Sequence, residues 1–322
     1  MADTWRFKFL DTISDIDFPE ERDELQREEE GDMSVLRSLL FVPGNQARML
    51  EKAMQSRPDA FVPDLEDSVP IDEKANAREI VASHLPQLAE VGPLVIPRVN
   101  SLDTGHCEDD LAAVVGPHLD GVSVGKIYTT KDVETISGIL EQLEKQAGIP
   151  VGHVKLVLWI ETAMAIVHCY EICAASPRII GAAFGAEDLT NDMGIERNED
   201  DSEVAVARHL LCLAARAADV LALDTPFFAF RDPEGLQQNA LASKKIGFKG
   251  KFAIHPAQID LINTTFSPSP ADIDHARRVV AAFEEAERAG RGSTSLDGKV
   301  VDVPVVKRAR ALLDIAESIP NA

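Results

Sequence analysis

Aromatic side chains are scarce, at 5% of 322 residues, so an aliphatic core has to be built from the 45% of the chain that is apolar. No apolar run approaches the roughly 18 residues that would span a bilayer. The N-terminus has no basic-then-apolar leader, and its acidity argues against an organellar transit sequence. Four cysteines, Cys107, Cys169, Cys173 and Cys212, include no CxxC pair. Two thiols at Cys169 and Cys173 do not complete a zinc site, which leaves the cysteines as reduced core residues. Basic charge is the poorer sign, with 32 Lys and Arg against 54 Asp and Glu and a net charge of −22. Such a surface lacks the positive footprint that nucleic acid or an anionic membrane requires. These absences together fit a cytoplasmic enzyme. An anionic substrate would need a local basic patch. A Gly-rich nucleotide loop is missing too, since Gly44 is one glycine in a turn.

What is present is alternation. Residues 1–33 read as an acidic appendage, with Glu20 to Asp32 dense in charge and nearly free of apolar residues. From Ser38 onward, eight short apolar runs are predicted as strands: Ser38–Val42, Asp59–Pro63, Leu94–Arg98, Gly121–Gly125, Val154–Ile160, Ile179–Phe184, Asp219–Asp224 and Lys251–His255. Helical stretches separate them, at Gln46–Ser56, Asp72–Ala89, Glu108–Gly116, Thr130–Ala147, Ala163–Ala175, Glu203–Ala217, Asp232–Ile246 and Pro256–Phe266. Strict βα alternation implies a parallel sheet. Eight units predict a closed (β/α)8 TIM barrel over residues 34–268, with a doubly wound open sheet as the alternative. Residues 269–322 hold two further helices, Ala271–Ala289 and Pro304–Ile315, around a Gly/Ser-rich loop at Gly290–Ser295. That segment is too short for an independent core and reads as a helical lid or oligomer contact.

In a barrel the chemistry collects where strands end. Those positions carry Asp64-Leu-Glu66-Asp67, Arg98, Lys126, Glu161, Glu187-Asp188 and His255. Crowded carboxylates repel and protonate unless a cation joins them. An all-oxygen set favours Mg²⁺, with Mn²⁺ as an alternative, over zinc. Glu161 and Asp188 come from separate strands and are the candidate metal ligands; the competing reading is that they simply begin the helices that follow. Arg98 can stabilise a developing oxyanion or pair internally with Asp64 or Glu66. His255 reads as a base or, before Pro256, as a helix cap.

Six motifs then occur in order: Arg37-Ser-Leu-Leu-Phe41-Val-Pro-Gly44, Asp64-Leu-Glu66-Asp67, Pro97-Arg98-Val-Asn100, Glu161-Thr162, Gly185-Ala-Glu-Asp188-Leu, and Gly250-Lys-Phe-Ala-Ile-His255-Pro-Ala-Gln258. On these the chain resembles, from about residue 35 to 315, the citrate lyase β-subunit-like group of the HpcH/HpaI aldolase superfamily. Malyl-CoA, β-methylmalyl-CoA and citramalyl-CoA lyases belong to that group. The resemblance implies a (β/α)8 barrel with Mg²⁺ on Glu161 and Asp188. It implies substrate contacts from Arg98, Asp64 and the turn Gly185, Ala186 and Glu187, whose amides would meet the substrate carboxylate. It places CoA near Arg37, Phe41, Lys74 and Arg78, although Lys74 and Arg78 also read as a solvated helix face paired with Glu73 or Glu79. It makes Asp302 the acid/base, delivered by the C-terminal segment of a neighbouring copy in a trimer or hexamer, whereas Asp302 read alone before Pro304 is a helix cap. The implied activity is reversible C–C cleavage of a β-hydroxyacyl-CoA to a keto acid and a shorter acyl-CoA. CoA-independent aldol cleavage, thioester hydrolysis or malate-synthase-like chemistry, and service as a subunit of a citrate lyase complex are the alternatives. Pro63, where the group usually has an aliphatic residue, raises the expectation of a shifted Asp64.

Overall fold

The computed structural model describes residues 35–198 and 200–319. The acidic appendage expected over 1–33 lies outside the described residues. Eight strand positions close into a parallel barrel. They are β1 (Ser38–Pro43), β2 (Ala60–Asp64), a third position split into β3 (Leu94–Val95) and β4 (Arg98–Val99), then β5 (Gly121–Val124), β6 (Lys155–Ile160), β7 (Ile179–Phe184), β8 (Leu221–Asp224) and β9 (Gly250–Ala253). Closure is made by β9 pairing with β1, with Ser38 opposite Lys251 and Leu40 opposite Ala253. The third strand was predicted as one run. It breaks at Ile96-Pro97 because proline has no N–H to donate to a ladder. Pro63 is accommodated: β2 continues through it to Asp64, which pairs with Pro43 on one side and Arg98 on the other.

Outside the barrel run α1 (Ala47–Ala53), α2 (Lys74–Val91), α3 (Cys107–Val114), α4 (Thr130–Ala147), α5 (Ala163–Val167), α6 (Cys169–Cys173), α7 (Ala186–Met193), α8 (Ala205–Ala217), α9 (Pro233–Ile246) and α10 (Ile259–Phe266). The helix predicted over Ala163–Ala175 is two pieces that meet at His168, which leaves helical geometry at ψ 21°. Helix α7 is the helix that the sequence around Asp188 suggests without giving it bounds.

Alternation along the strands sorts the core into two layers. Leu40 and Val42, and Leu156, Leu158 and Ile160, face the helices. Leu39, Ala60, Val62, Ile96, Val157, Trp159, Ala183, Leu223 and Phe252 face inward and fill the barrel. Because side chains alternate with period two, one more step toward the strand C-termini puts Pro43, Asp64, Arg98, Gly125, Glu161, Gly185, Thr225 and Ile254 on the inner ring at the mouth. Thus the aliphatic filling of the barrel decides which residues reach the site.

Beyond α10 come α11 (Pro270–Arg288), a hairpin of β10 (Thr294–Leu296) and β11 (Lys299–Val301), and α12 (Val303–Ser318). Two expectations are corrected here. The Gly/Ser-rich loop runs into a hairpin, turned by Asp297 and Gly298 at φ 51° and 77°, the pair of positive angles a two-residue hairpin turn needs. The segment also has a small core of its own, in which Ala276, Val279, Phe283, Val301, Val306 and Ala309 are buried together. No described helix is long and apolar enough to cross a membrane.

Candidate active site

A cleft of about 460 Å³ opens at the C-terminal mouth, lined by residues that include Phe41, Asp64, Asp67, Arg98, Trp159, Glu161, Gly185, Glu187 and Asp188. Its floor is aromatic. Phe41, Trp159 and Phe252 stack on one another with centroids 4.6–5.8 Å apart. The Arg98 guanidinium lies 4.6 Å from the Phe41 ring centroid, so the ring face favours the cation from below.

Arg98 is locked sideways as well. Its Nε donates to Asp64 Oδ1 at 2.8 Å and its Nη2 to Asp64 Oδ2 at 2.7 Å. Nη1 meets Asp67 at 3.0 Å and Glu66 at 3.2 Å. Asp64 also accepts from the backbone N–H groups of Glu66 and Ser68. Burial pushes its carboxyl up, but the Arg98 charge and these bonds outweigh it and hold Asp64 below the usual carboxylate range. The pairing considered for Arg98 is therefore present, and it aims the guanidinium into the cleft. Asp64 holds Arg98 with both oxygens.

Glu161 is 4% exposed. Its Oε1 accepts from the backbone N–H of Lys126 at 2.6 Å, where Lys126 takes a left-handed φ of 51°. Lys126 Nζ turns away to Glu66 at 2.9 Å. On the strands either side of β6 the ring positions are glycines. A Cβ at Gly125 would stand 3.1 Å from Glu161 Oε1, and one at Gly185 only 2.4 Å from Glu161 Oε2. The carboxylate occupies the space both missing side chains leave. Burial, then the neighbouring Asp188 charge, pushes the Glu161 carboxyl up to about 8. Burial also raises Asp188 and Glu66.

The donor set fits a hard divalent cation. Glu161 and Asp188 face the same cleft, and burial raises the proton affinity of both. Among the described residues no group of three or more His, Cys, Asp or Glu forms a complete cage. Two carboxylates with positions left for water and substrate suit Mg²⁺, which seldom uses an all-protein shell.

The turn Gly185, Ala186, Glu187 and Asp188 is the start of α7, whose first turn holds both acids and whose cap Gly185 makes no side-chain bond. The Gly185 N–H donates to the Ile160 carbonyl, and the N–H groups of Ala186 to Asp188 that follow suit a carboxylate. Asp188 is half-buried, while Glu187 is exposed and paired with Arg197 at 3.0 Å.

Other expected residues are not brought here. Arg37 precedes β1 at the opposite end of the barrel, bonded to Asp59 through its backbone N–H, Nε and Nη2. Lys74 is 8% exposed and its Nζ donates to the carbonyls of Leu65 and Glu66. It fastens the loop carrying Glu66 and Asp67. Arg78 is pinned to buried Asp110 at 2.7 Å. The solvated pairing of these α2 cations with Glu73 or Glu79 is corrected: both are bonded within the fold, because the neighbouring loops supply oxygens that the sequence spacing does not reveal. Of the four residues proposed for CoA, Phe41 lines the cleft. His255 caps the turn Pro256–Gln258, accepting from Ala257 N–H. Asp302 caps α12, accepting from Val305 N–H at 3.3 Å, and is not among the cleft's lining residues.

Sequence reasoning missed Trp159, Phe252 and the role of Gly125. A count in twos back from Glu161 and across the sheet would have found them. It also missed the buried chain through Arg197, Asp201 and Arg208, for which no periodic signal exists.

Residues 37–256 match the HpcH/HpaI aldolase/citrate lyase family. The chain is similar to citrate lyase subunit beta of Haemophilus influenzae, 38% identical over 288 residues that cover 89% of this chain and 98% of that one. It is equally similar to a (3S)-malyl-CoA thioesterase of Cereibacter sphaeroides, 38% identical over 286 residues, 88% of this chain and 95% of the other. A solved structure of CitE from Mycobacterium tuberculosis in complex with magnesium, acetoacetate and coenzyme A matches with a TM-score of 0.72 at 30% identity, covering 89% of this chain and all of that one. The chain belongs to the HpcH/HpaI aldolase/citrate lyase family.

Proposed function

We propose that this chain is a Mg²⁺-dependent carbon–carbon lyase that reversibly cleaves a β-hydroxyacyl-CoA of the malyl-, methylmalyl- or citramalyl-CoA type. The products are glyoxylate or pyruvate and acetyl- or propionyl-CoA. The observation that carries the reading is Glu161 and Asp188 facing one cleft beside a guanidinium held by Asp64 over an aromatic floor. The CitE complex with magnesium, acetoacetate and coenzyme A supports the ligand classes.

A divalent cation held by Glu161 and Asp188 would supply Lewis acidity to the oxygens of the keto acid half. The start of α7 binds that half's carboxylate through backbone N–H groups of Ala186 to Asp188, the Gly185 N–H being donated to Ile160 C=O. Cleavage gives the β-hydroxyl proton to solvent water, turns that C–O bond into the keto acid's carbonyl as the Cα–Cβ bond breaks, and leaves the electron pair on the thioester α-carbon. Arg98 offsets the negative charge that develops on oxygen, and its fixed pairing with Asp64 means little reorganisation is needed. The α-carbon must then be protonated. We assign that to Asp302 of a neighbouring copy, since the C-terminal segment places its own Asp302 outside its own cleft. Thioester hydrolysis is the second reading, favoured by the 38% identical malyl-CoA thioesterase.

Purified protein with Mg²⁺ and a panel of hydroxyacyl-CoAs separates the two. A keto acid with acetyl- or propionyl-CoA supports the lyase, and free CoA with a hydroxy acid supports hydrolysis. Glu161→Gln and Asp188→Asn are each expected to abolish cation-dependent turnover while the protein stays folded. Wild-type turnover in either would remove the metal assignment.

A further inference from the structure

Six charged side chains form a continuous chain from the lip of the cleft into the barrel wall, and the chemistry proposed above uses only the region around the first. Glu187 Oε1 accepts from Arg197 Nε at 3.0 Å. Arg197 Nη2 donates to Asp201 Oδ1 at 2.7 Å, and Nη1 to Glu203. Every nitrogen of the guanidinium therefore has its own carboxylate. Asp201 sits at a left-handed φ of 57°, a conformation an aspartate keeps when its surroundings over-determine it. They do so here. Its second oxygen receives Arg208 Nη1 at 2.7 Å and Asn239 Nδ2 at 3.1 Å. Arg208, 5% exposed, reaches inward to Asp224 at 3.0 Å. Asp224 is bonded in turn to Lys251 at 2.6 Å, and both are 0% exposed, on β8 and β9.

This arrangement addresses a difficulty at the mouth. Glu161 stands at the end of β6 and Asp188 on α7, so with no cation between them their mutual placement depends on how the first turn of α7 is held. Helix α7 begins on Gly185, which supplies no side-chain cap; the Gly185 N–H donates to the Ile160 carbonyl at 3.3 Å, and Asp192 further along accepts from Ala163 N–H at 2.8 Å. Among the described residues its first turn makes one ion pair, Glu187 to Arg197, and Arg197 is linked through Asp201 and Arg208 to fully buried charges of the barrel wall.

We propose that Arg197 is a positioning residue for the cation site: through Glu187 it holds the first turn of α7 so that Asp188 faces Glu161 before a cation arrives. This rests on the divalent-cation reading above and adds to it a residue outside the cleft. The gain is preorganisation, which partners of ligand-bearing elements typically supply at about 10–100-fold in metal affinity.

Charge alone and positioning have opposite signs. Arg197→Met removes a positive charge near the site, so simple electrostatics makes Mn²⁺ bind more tightly. Loss of the tether makes it bind more weakly. The experiment is Mn²⁺ titration of the full-length, cation-free protein, followed by the paramagnetic signal of free Mn²⁺, with melting temperatures of the cation-free forms. The expected result is roughly 10–100-fold weaker Mn²⁺ binding in Arg197→Met, an intermediate value in Arg197→Lys, and a comparable loss in Glu187→Ala. Glu187 is exposed, and its removal leaves Arg197, Asp201 and Glu203 paired, so that variant is expected to melt like the wild type. Unchanged or tighter Mn²⁺ binding in Arg197→Met overturns the proposal, even if that variant melts lower. If Glu161→Gln loses Mn²⁺ while Arg197→Met and Glu187→Ala keep it, the cation reading stands and the tether fails. If folded wild-type protein binds no Mn²⁺, both fail.

Discussion

Substituting Gly185 with alanine tests the site at its tightest point. The backbone at Gly185 has φ −97° and ψ 87°, which any residue can adopt, so glycine is not required there for its conformational freedom. Space is the constraint. An added Cβ would lie 2.4 Å from both Cβ and Oε2 of Glu161. Contact at a normal distance needs a retreat of about 1 Å, and a misplacement of that size costs on the order of a hundredfold in rate, or about 2.7 kcal/mol in the barrier. Glu161 Cβ is anchored to β6, so rotation of the carboxylate alone cannot relieve the contact. Overpacking is expected to cost about 1–3 kcal/mol of stability, not enough to unfold a barrel of this size. The assays are turnover on the best hydroxyacyl-CoA, Mn²⁺ affinity and thermal unfolding. The expected outcome is a folded variant with turnover down about a hundredfold and weakened cation binding. Turnover and Mn²⁺ affinity within about threefold of wild type would show that Glu161 does not act from the position the structure gives it.

Arg98→Lys keeps the charge but loses the two-point grip on Asp64, and kcat is expected to fall about 10²–10³-fold; near-normal kcat would leave Arg98 a structural ion pair. Glu144 is 0% exposed and accepts from Gly152 N–H, Val154 N–H and both terminal nitrogens of Arg178. Burial pushes its carboxyl up, but those bonds prevail and hold it below the usual value, so its stabilising effect is full above about pH 4.5 and is lost as pH falls below that. Glu144→Gln is expected to cost about 3–5 kcal/mol at neutral pH and to flatten the acid limb in denaturant titrations; an unchanged limb would remove Glu144 as its source. Exposed apolar side chains line α5 and α6 (Met164, Val167, Tyr170) and α8 (Val206, Leu210, Leu213), on helices that pack together. A second copy is expected to cover this apolar patch, so Val167→Glu with Leu213→Glu should yield a smaller species by light scattering, and a wild type that is already monomeric would count against association and against Asp302 acting from a neighbour.

The barrel was legible because its physics is repetitive. Each buried strand must be short, apolar and followed by a helix, and eight such units left eight visible runs. Boundaries moved where backbone chemistry intervened, as at Pro97, which interrupts the third strand, and at Pro256, where a tight turn precedes α10. Helix α7 went without bounds for a different reason. Ala186–Met193 is only eight residues with three acids, and its buried Ala186, Leu189 and Thr190 are too few to mark where a helix begins and ends. The hairpin at Asp297-Gly298 carried a turn signal that the surrounding glycines and serines obscured. The isolated small core of the C-terminal segment is a matter of packing between α11 and α12, which spacing within either helix does not report.

At the site, legibility followed the direction of the argument. Glu161, Arg98 and Asp64 could be found by asking what stands one inward step beyond a buried strand, because that step is set by the two-residue period. Arg37, Lys74 and Arg78 could not be excluded that way. Whether a cation is free depends on which oxygens the loops bring to it, and Leu65, Glu66 and Asp110 reach those side chains only through the folded chain. The same limit hid the Arg197 chain. In a protein with net charge −22, most arginines have a carboxylate within reach somewhere, so the presence of an arginine carries little information. What distinguishes Arg197 is the identity of its partners: one on the helix bearing Asp188, and one leading through Arg208 to charges with no solvent access. A surplus of acid makes basic residues valuable as ties between elements, and the sites where they are spent as ties can be recognised only once the elements are in place.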